Sequence, residues 1–571
     1  MPLNAPTSGS PAHPHHTTPE TIKDTLISIM IAFTMAFVFR GFVVEAFVIP
    51  TGSMAPTLMG AHMQLRSPET GQEWPLGAWE DNPPNSTNYT DPQPKFVSQD
   101  PISGTASPEL KRKTYSGDRI LVLKYLYALQ EPKRFDVIVF KNPSNPSDNY
   151  IKRLIGLPGE QIALADGDVF VRTKTEGREA ASMSAPDQAR LWDQPGWKVQ
   201  RKDPITQRSV WQLVYDSGLA PLQGGGGTGP WRAGDPAGWS MSAREYRFEG
   251  SGKAELVFDR NAPRSSAMVP NGRKMNWEID DYYPYDEYYY TRGTARFPVS
   301  DVRLRCGFAP KQDGERVGMV LAARGHEFRA SLGAGKAEIA VREPVGAAGV
   351  LGEWKVQTSV DAPALAAGKV SNVEFWHVDQ SVQVWLDGKR VAQYEYDWSP
   401  GQRIAYSTGK PLVSLMEPQS RDAQGRNVLA EPAIYLPGRC TSARLVFEGG
   451  AFSLYRVGVD RDLHYQPASK QRGIGVSALG TSPYSPLILS PDQYFACGDN
   501  SPASLDGRLW ESVDPWINEQ FPSPEGPYAR AGVIHRDLLL GKAFFVYWPS
   551  VKKEASPVPL VPDYGRMRFI W

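Results

Sequence analysis

Along the first fifty residues the apolar positions run together instead of alternating. Thr25 to Phe39 carries no charge; at about 15 residues it makes roughly 22 Å of helix, short for a bilayer crossing. Lys23 can snorkel at one end, and Gly41-Phe42-Val43-Val44 extend the apolar length at the other. Residues 21–44 therefore predict one transmembrane anchor. The rival reading is a cleavable leader with Val44-Glu45-Ala46 as its cutting site. Cutting there would remove the anchor just before the turn Thr51-Gly52-Ser53. Lys23 and Arg40 bracket the segment symmetrically, so charge leaves its orientation open.

Beyond residue 44 the apolar period is close to two. Glu45 to Pro50 reads as an extended strand, and Ser116-Gly117-Asp118 as a turn into the strand Arg119–Val122. Phe135–Phe140 and Tyr150–Leu157 are two strands separated by a Pro/Asn loop, and Tyr494–Cys497 is a strand running into a polar turn. Phe375 to Tyr396 alternates about an Asp387-Gly388 hairpin turn. Val302–Cys306, Gly318–Leu321 and Ala443–Phe447 add strands, while Ser209 to Tyr215 reads as helix. The fold class is mainly β. The expected organisation is a tail (1–20), the anchor (21–44), the first part of a β core (45–171, with a polar insertion at 66–113), an insertion and linker (172–245), an inserted β-sandwich (246–467) and the second part of the core (468–571).

Composition agrees with several β-rich units in 571 residues: tryptophan 16, tyrosine 24, phenylalanine 22, glycine 52 and proline 50. Basic and acidic residues balance at 62 each, so no net field favours nucleic acid. Cys306 and Cys440 either pair across a β domain or remain buried thiols, as does Cys497. Neither CxxC nor HExxH spacing occurs, and no metal or cofactor is expected. His13-Pro14-His15-His16 falls in a Ser/Thr/Pro-rich tail that reads as disordered.

The chemistry centres on Ser53 and Lys152. Gly52 relaxes the backbone before Ser53, and Pro56 stops regular continuation. A serine hydroxyl needs a base, and none of the eight histidines falls in the stretches around Ser53 or Lys152. A lysine amine serves if burial keeps it neutral near pH 7, and Tyr150, Ile151, Leu154 and Phe47 are candidate desolvating neighbours for Lys152.

Four stretches occur in order: Glu45–Leu58, Gly117-Asp118, Tyr150–Gly159 and Gly498–Arg508. Together they resemble the boxes of the type I signal peptidase family. Glu20–Lys23 and Phe39–Glu45 resemble its anchor, and Gly532–Pro549 its closing strands. The resemblance implies a signal-peptidase β-fold and a serine endopeptidase that removes signal peptides from exported preproteins after Ala-x-Ala. It implies Ser53 as nucleophile, Lys152 as general base and Ser504 as the hydroxyl orienting the amine. The Ser53 N–H and the Thr51 hydroxyl would hold the oxyanion. Arg153 with Asp499, and Asp506 with Arg508, would brace the site. Phe47, Ile49, Pro50, Met54, Tyr150 and Ile151 would line shallow apolar pockets for small substrate residues. The implied location is the bacterial plasma membrane, single-pass, with the catalytic domain on the extracytoplasmic side and the lipid bilayer as partner. Ser501, where arginine is usual, and Gly507, where serine is usual, weaken the bracing and leave the dyad untouched. A self-cleaving Ser-Lys repressor relative is opposed by the anchor and by Gly498-Asp499-Asn500.

Two stretches have no place in that family. Arg66 to Lys113 is polar, with Pro83-Pro84 and an Asn85-Ser86-Thr87 glycosylation pattern, and reads as a surface loop or small irregular subdomain. The longer one, with a Gly224–Gly227 linker, resembles a concanavalin-like or laminin-G-like jelly roll. Asp280-Asp281-Tyr282-Tyr283 to Tyr288-Tyr289-Tyr290 reads as a tyrosine-rich interface, or as a carbohydrate platform or cation site. A membrane-tethered glycan- or protein-binding module on a degenerate protease shell is the alternative for the whole chain.

Overall fold

In the computed structural model, the described residues are 18–562 and 564–571, except 68–69, 78–97, 105–114, 174–186, 188–189, 221–228, 263–275, 288–294, 346–349, 417–433, 437–438, 468–477, 522–530 and 553–560. The histidine cluster, the Asn85 tripeptide, the Gly224–Gly227 linker and Tyr288–Tyr290 lie outside them.

Helix α1 (Thr18–Val38) runs through a π-helical turn, Phe39–Val43, directly into β1 (Val44–Val48). The apolar stretch Ile22–Val43, 22 residues, is exposed on every side. The first sheet follows from β1, β2 (Arg119–Leu123), β3 (Val137–Asn142), β4 (Asn145–Gly156), β5 (Gln493–Cys497), β6 (Ile534–His535) and β7 (Leu539–Trp548), in the order β1-β2-β7-β3-β4-β5-β6. All its pairings are antiparallel, and β1 is an edge. β3 is buried on both faces, as its unbroken run Val-Ile-Val-Phe requires. Val137 and Val139 enter one apolar cluster with Ile120, Val122 and Val546, while Ile138 and Phe140 enter another with Leu154, Phe495 and Trp510.

A hairpin, Glu160–Ala165 with Asp168–Thr173, leads out of this sheet; Leu487–Ile488 pairs back onto it on return. Between them lies a sandwich of an eight-stranded and a seven-stranded sheet sharing one large apolar core. Its strands begin earlier than the sequence pattern suggests: Gln212–Asp216 pairs with Phe452–Arg461, and Trp231–Ala233 and Trp239–Met241 also join, all ahead of residue 246. The helix expected at 209–215 is correspondingly displaced to Pro204–Val210, where Asp203 caps the N-terminus by accepting from Ile205 and Thr206 N–H. The stretch 371–395 is a three-stranded meander. Its second turn is Asp387-Gly388, as expected, and its first is Asp379-Gln380. All four turn residues have positive φ (46, 53, 48 and 79°), the geometry of two-residue hairpins.

The three cysteines are free thiols, so Cys306 and Cys440 do not pair. At the start of the 66–113 region, His62–Arg66 and Glu73–Gly77 form a hairpin closed on Met63, Leu65, Trp74 and Leu76.

Candidate active site

The loop after β1 is tied at both ends. Ile49 N–H donates to Asp118 O at 2.9 Å, and Ala61 N–H donates to Pro50 O at 3.2 Å. Asp118, fully buried, also accepts from Met59 N–H at 2.8 Å and Arg566 Nη2 at 2.7 Å. Within the loop, Gly52–Met54 form one 3-10 turn, closed by Ala55 N–H donating to Gly52 O at 3.0 Å. Ser53 is buried on this turn, while Pro50 and Thr51 before it are exposed.

Lys152 reaches the same point from β4. Its Nζ lies 2.8 Å from Ser53 Oγ and 3.1 Å from Ile151 O, and the residue is 4% exposed. Burial is the chief cause that lowers its pKa from 10.5 to about 8; Asp506, Cys497 and Asp499 pull it back up, and Arg508 pushes it down. The Tyr150 ring sits with its centroid 5.2 Å from Nζ.

Two buried ion pairs flank the dyad. Arg153 donates from Nε and Nη2 to the two Asp499 oxygens, both at 2.7 Å, and from Nη1 to the carbonyls of Phe135 and Trp571. Asp499 also accepts from Thr57 Oγ1 at 2.5 Å, which ties the serine loop to the pair. Arg508 grips Asp506 at 2.9 and 2.8 Å, and Asp506 accepts from Gly498 N–H. The two unusual residues have local reasons. Ser501 Oγ accepts from Arg508 Nη1 and from Gln466 N–H, at the end of the insertion. A Cβ on Gly507 would stand 2.6 Å from Gly532 O and 2.8 Å from the Phe495 ring.

Two expectations meet a different arrangement. Ser504 Oγ makes no hydrogen bond to Lys152; it is buried toward Gly498 and Asp506. Met54 is 0% exposed and Ile49 3%, so both form the floor beneath the loop. Phe47 and Ile151 are partly buried over that floor, and Tyr150 packs on the opposite cluster beside Phe140 and Trp510. The Asp280–Tyr290 stretch, in its described part, is an intramolecular interface. Tyr283 and Tyr285 stack at 6.2 Å and cover Ala55 and Met59. Tyr285 OH donates to Ala61 O at 2.9 Å. Sequence reasoning assigned no individual role to Thr57, Asn500, Tyr285 or Asp286; the last two fall in the tyrosine-rich stretch read as an interface, but their partners, Ala61 and Asn500, are distant in sequence.

As for metals, Asp168, Asp301 and Asp379 approach within 4.8 Å of one another where the core meets the sandwich. Each already carries a cation: Arg403 on Asp168, Arg324 and Arg403 on Asp301, Lys202 on Asp379.

Residues 103–213 match the family described as signal peptidase, peptidase S26, a span that holds Lys152 and Arg153. A signal peptidase I of Rickettsia typhi is 29% identical over 157 residues, 28% of this chain and 46% of its own. A probable signal peptidase I-2 of Synechocystis is 40% identical over 63 residues, 10% of this chain and 28% of its own. The chain thus spans about half the length of the curated relatives it matches, or less. Among solved structures, a carbohydrate binding module, CBM66, from Bacillus subtilis aligns with 41% of this chain and 96% of its own at 9% identity and a TM-score of 0.21. The matched segment, similar to the signal peptidase family, peptidase S26, lies on the sheet whose strands bring Lys152 against Ser53.

Proposed function

We propose that this chain is a membrane-anchored signal peptidase in which Ser53 is the nucleophile and Lys152 the general base. The observation that carries the reading is the 2.8 Å approach of a buried amine, with its pKa lowered to about 8, to a buried hydroxyl. Neutral Lys152 takes the Ser53 proton as Oγ attacks the scissile carbonyl, and the ammonium so formed protonates the leaving amine. The Ser53 N–H and the Thr51 hydroxyl receive the oxyanion. Lys152 then activates the water that releases the acyl group from Ser53.

An extended preprotein segment adds alongside the free edge of β1, its small residues facing Phe47 and Ile151. Such slots exclude larger side chains sterically, which fits Ala-x-Ala. Ile22–Val43, about 33 Å as helix, suits the ~30 Å hydrocarbon layer and leads into β1 without a linker. This keeps Ser53 near the bilayer surface, on the extracytoplasmic side where preproteins emerge.

The test is cleavage of an Ala-x-Ala preprotein by the full-length protein in lipid vesicles, with Ser53→Ala and Lys152→Ala as comparisons. Processing by the wild type alone supports the mechanism, and equal processing by all three ends it.

A further inference from the structure

The inserted sandwich does more than interrupt the catalytic core, because one of its loops closes on the turn that holds Ser53. Pro284–Asp286 form a 3-10 turn of the insertion, with Tyr285 and Asp286 buried. The Tyr285 ring fills the space beside Gly52 so tightly that a Cβ there would fall 2.1 Å from it. Asp286 Oδ1 accepts from Asn500 Nδ2 at 2.9 Å, and the same nitrogen donates to Gly52 O at 3.0 Å. The Asn500 N–H donates to Ser53 O at 3.1 Å. Asn500 thus holds the carbonyls on both sides of the nucleophile.

Asp286 decides which way the Asn500 amide faces. With its nitrogen between two acceptors, the amide uses its hydrogens on Asp286 and Gly52; turned over, it would set an oxygen against both. The peptide between Gly52 and Ser53 is planar and trans, so its C=O and N–H point in opposite directions. Whatever fixes the Gly52 carbonyl therefore also aims the Ser53 N–H.

We propose that Asp286, supplied by the insertion, is a positioning residue for the peptidase site: through the Asn500 amide it fixes the Gly52 carbonyl and so aims the Ser53 N–H at the developing oxyanion. This rests on the Ser-Lys reading above and goes beyond it, since it makes the insertion part of the catalytic apparatus.

The test uses the full-length protein in detergent micelles with an Ala-x-Ala peptide substrate. Asp286→Leu fills the space and removes the acceptor, while Asp286→Asn keeps an acceptor without the charge. Asp286→Ala, run beside them, makes the same comparison if the leucine variant does not fold. Losing an oxyanion donor outright costs about 10²–10³ in kcat, so misaiming one should cost about tenfold to a hundredfold. Asp286→Leu is expected to lose that much kcat with KM unchanged and the pH midpoint still near 8. Affinity for a peptide boronate, which mimics the tetrahedral state, should fall with kcat, and affinity for the product peptide should not. Asp286→Asn should stay close to wild type. Wild-type kcat in Asp286→Leu would overturn the proposal, as would a change confined to KM, equal losses of boronate and product affinity, or an Asp286→Asn variant as impaired as the leucine one. Failure of the underlying reading shows separately, as Ser53→Ala retaining wild-type activity.

Discussion

At the scale of single residues, the environment of Lys152 ties activity to pH. A lysine whose folded pKa lies near 8 is mostly charged at pH 6 and mostly neutral at pH 9. Under the proposed mechanism, kcat/KM is therefore expected to rise with pH about a midpoint near 8, read from a pH-rate profile; a midpoint below 6 would exclude this amine as the base. The same burial costs stability. Folding disfavours the ammonium, so the penalty is fully present below pH 8 and fades as pH rises toward 10.5, where the unfolded chain also gives up the proton. The gap between the two values corresponds to about 3 kcal/mol. Lys152→Met should abolish cleavage and raise the unfolding free energy at pH 7, measured by denaturant titration, by about 1–3 kcal/mol once the lost hydrogen bond to Ser53 is counted. The gain should shrink by pH 10. A Lys152→Met variant less stable than wild type at pH 7 would contradict the desolvation account.

At the scale of elements, the candidate site is two strands of the core and one borrowed turn. β1 delivers Ser53, β4 delivers Lys152, and the insertion turn Pro284–Asp286 packs on the loop between β1 and β2. Gly52 has an ordinary negative φ, so its need for glycine comes from the Tyr285 ring and not from backbone strain. Gly52→Ala should cut cleavage strongly by pushing Tyr285 away, and Gly52→Ala combined with Tyr285→Ala should recover part of it. Strict additivity in that double-mutant cycle would mean the two residues do not press on each other. This element also marks where sequence reading stops. β1, β3 and β4 were legible because their apolar period is local, and Ser53 and Lys152 because they sit in stretches of distinctive order. Ser209–Tyr215 reads as helix from the sequence, yet Gln212 onward is strand, because its strand character comes from pairing with Phe452–Arg461, far along the chain. Asp286 was illegible for the same reason: its value lies in Asn500 and Gly52, which only the fold brings near. Met54 looked like a pocket residue because an apolar side chain beside a nucleophile reads the same from either side of the loop.

At the scale of the whole molecule, the first β core and the sandwich meet through buried charge. The hairpin turn Asp166-Gly167 of the core enters the sandwich with both residues at positive φ, 49 and 88°. There Arg324 holds Asp166 at 2.7 Å and Asp301 at 2.9 Å, while Arg403 holds Asp168 at 2.5 Å and Asp301 at 3.2 Å. Burial pushes the Asp301 carboxyl up, yet Arg403 and Arg324 overcome it and hold it well below the usual carboxylate range; Asp168, with less compensation, is driven well above that range. Exchanging a whole buried network for apolar groups can be neutral, whereas deleting one partner strands the others, at a cost of about 3–5 kcal/mol. Arg403→Met should accordingly lower the unfolding free energy, measured by denaturant titration, by about that much at pH 7. Asp301 contributes stability above the unfolded carboxylate pKa of 3.8 and loses it as pH falls below. In the variant, the stranded carboxylates can take up protons instead, so the deficit should narrow as the pH is lowered toward 4. Because the sandwich carries Tyr285 and Asp286 to the Ser53 turn, loosening this junction should also reduce kcat before the protein unfolds. A variant that loses stability but keeps full kcat would separate docking of the sandwich from order in the site.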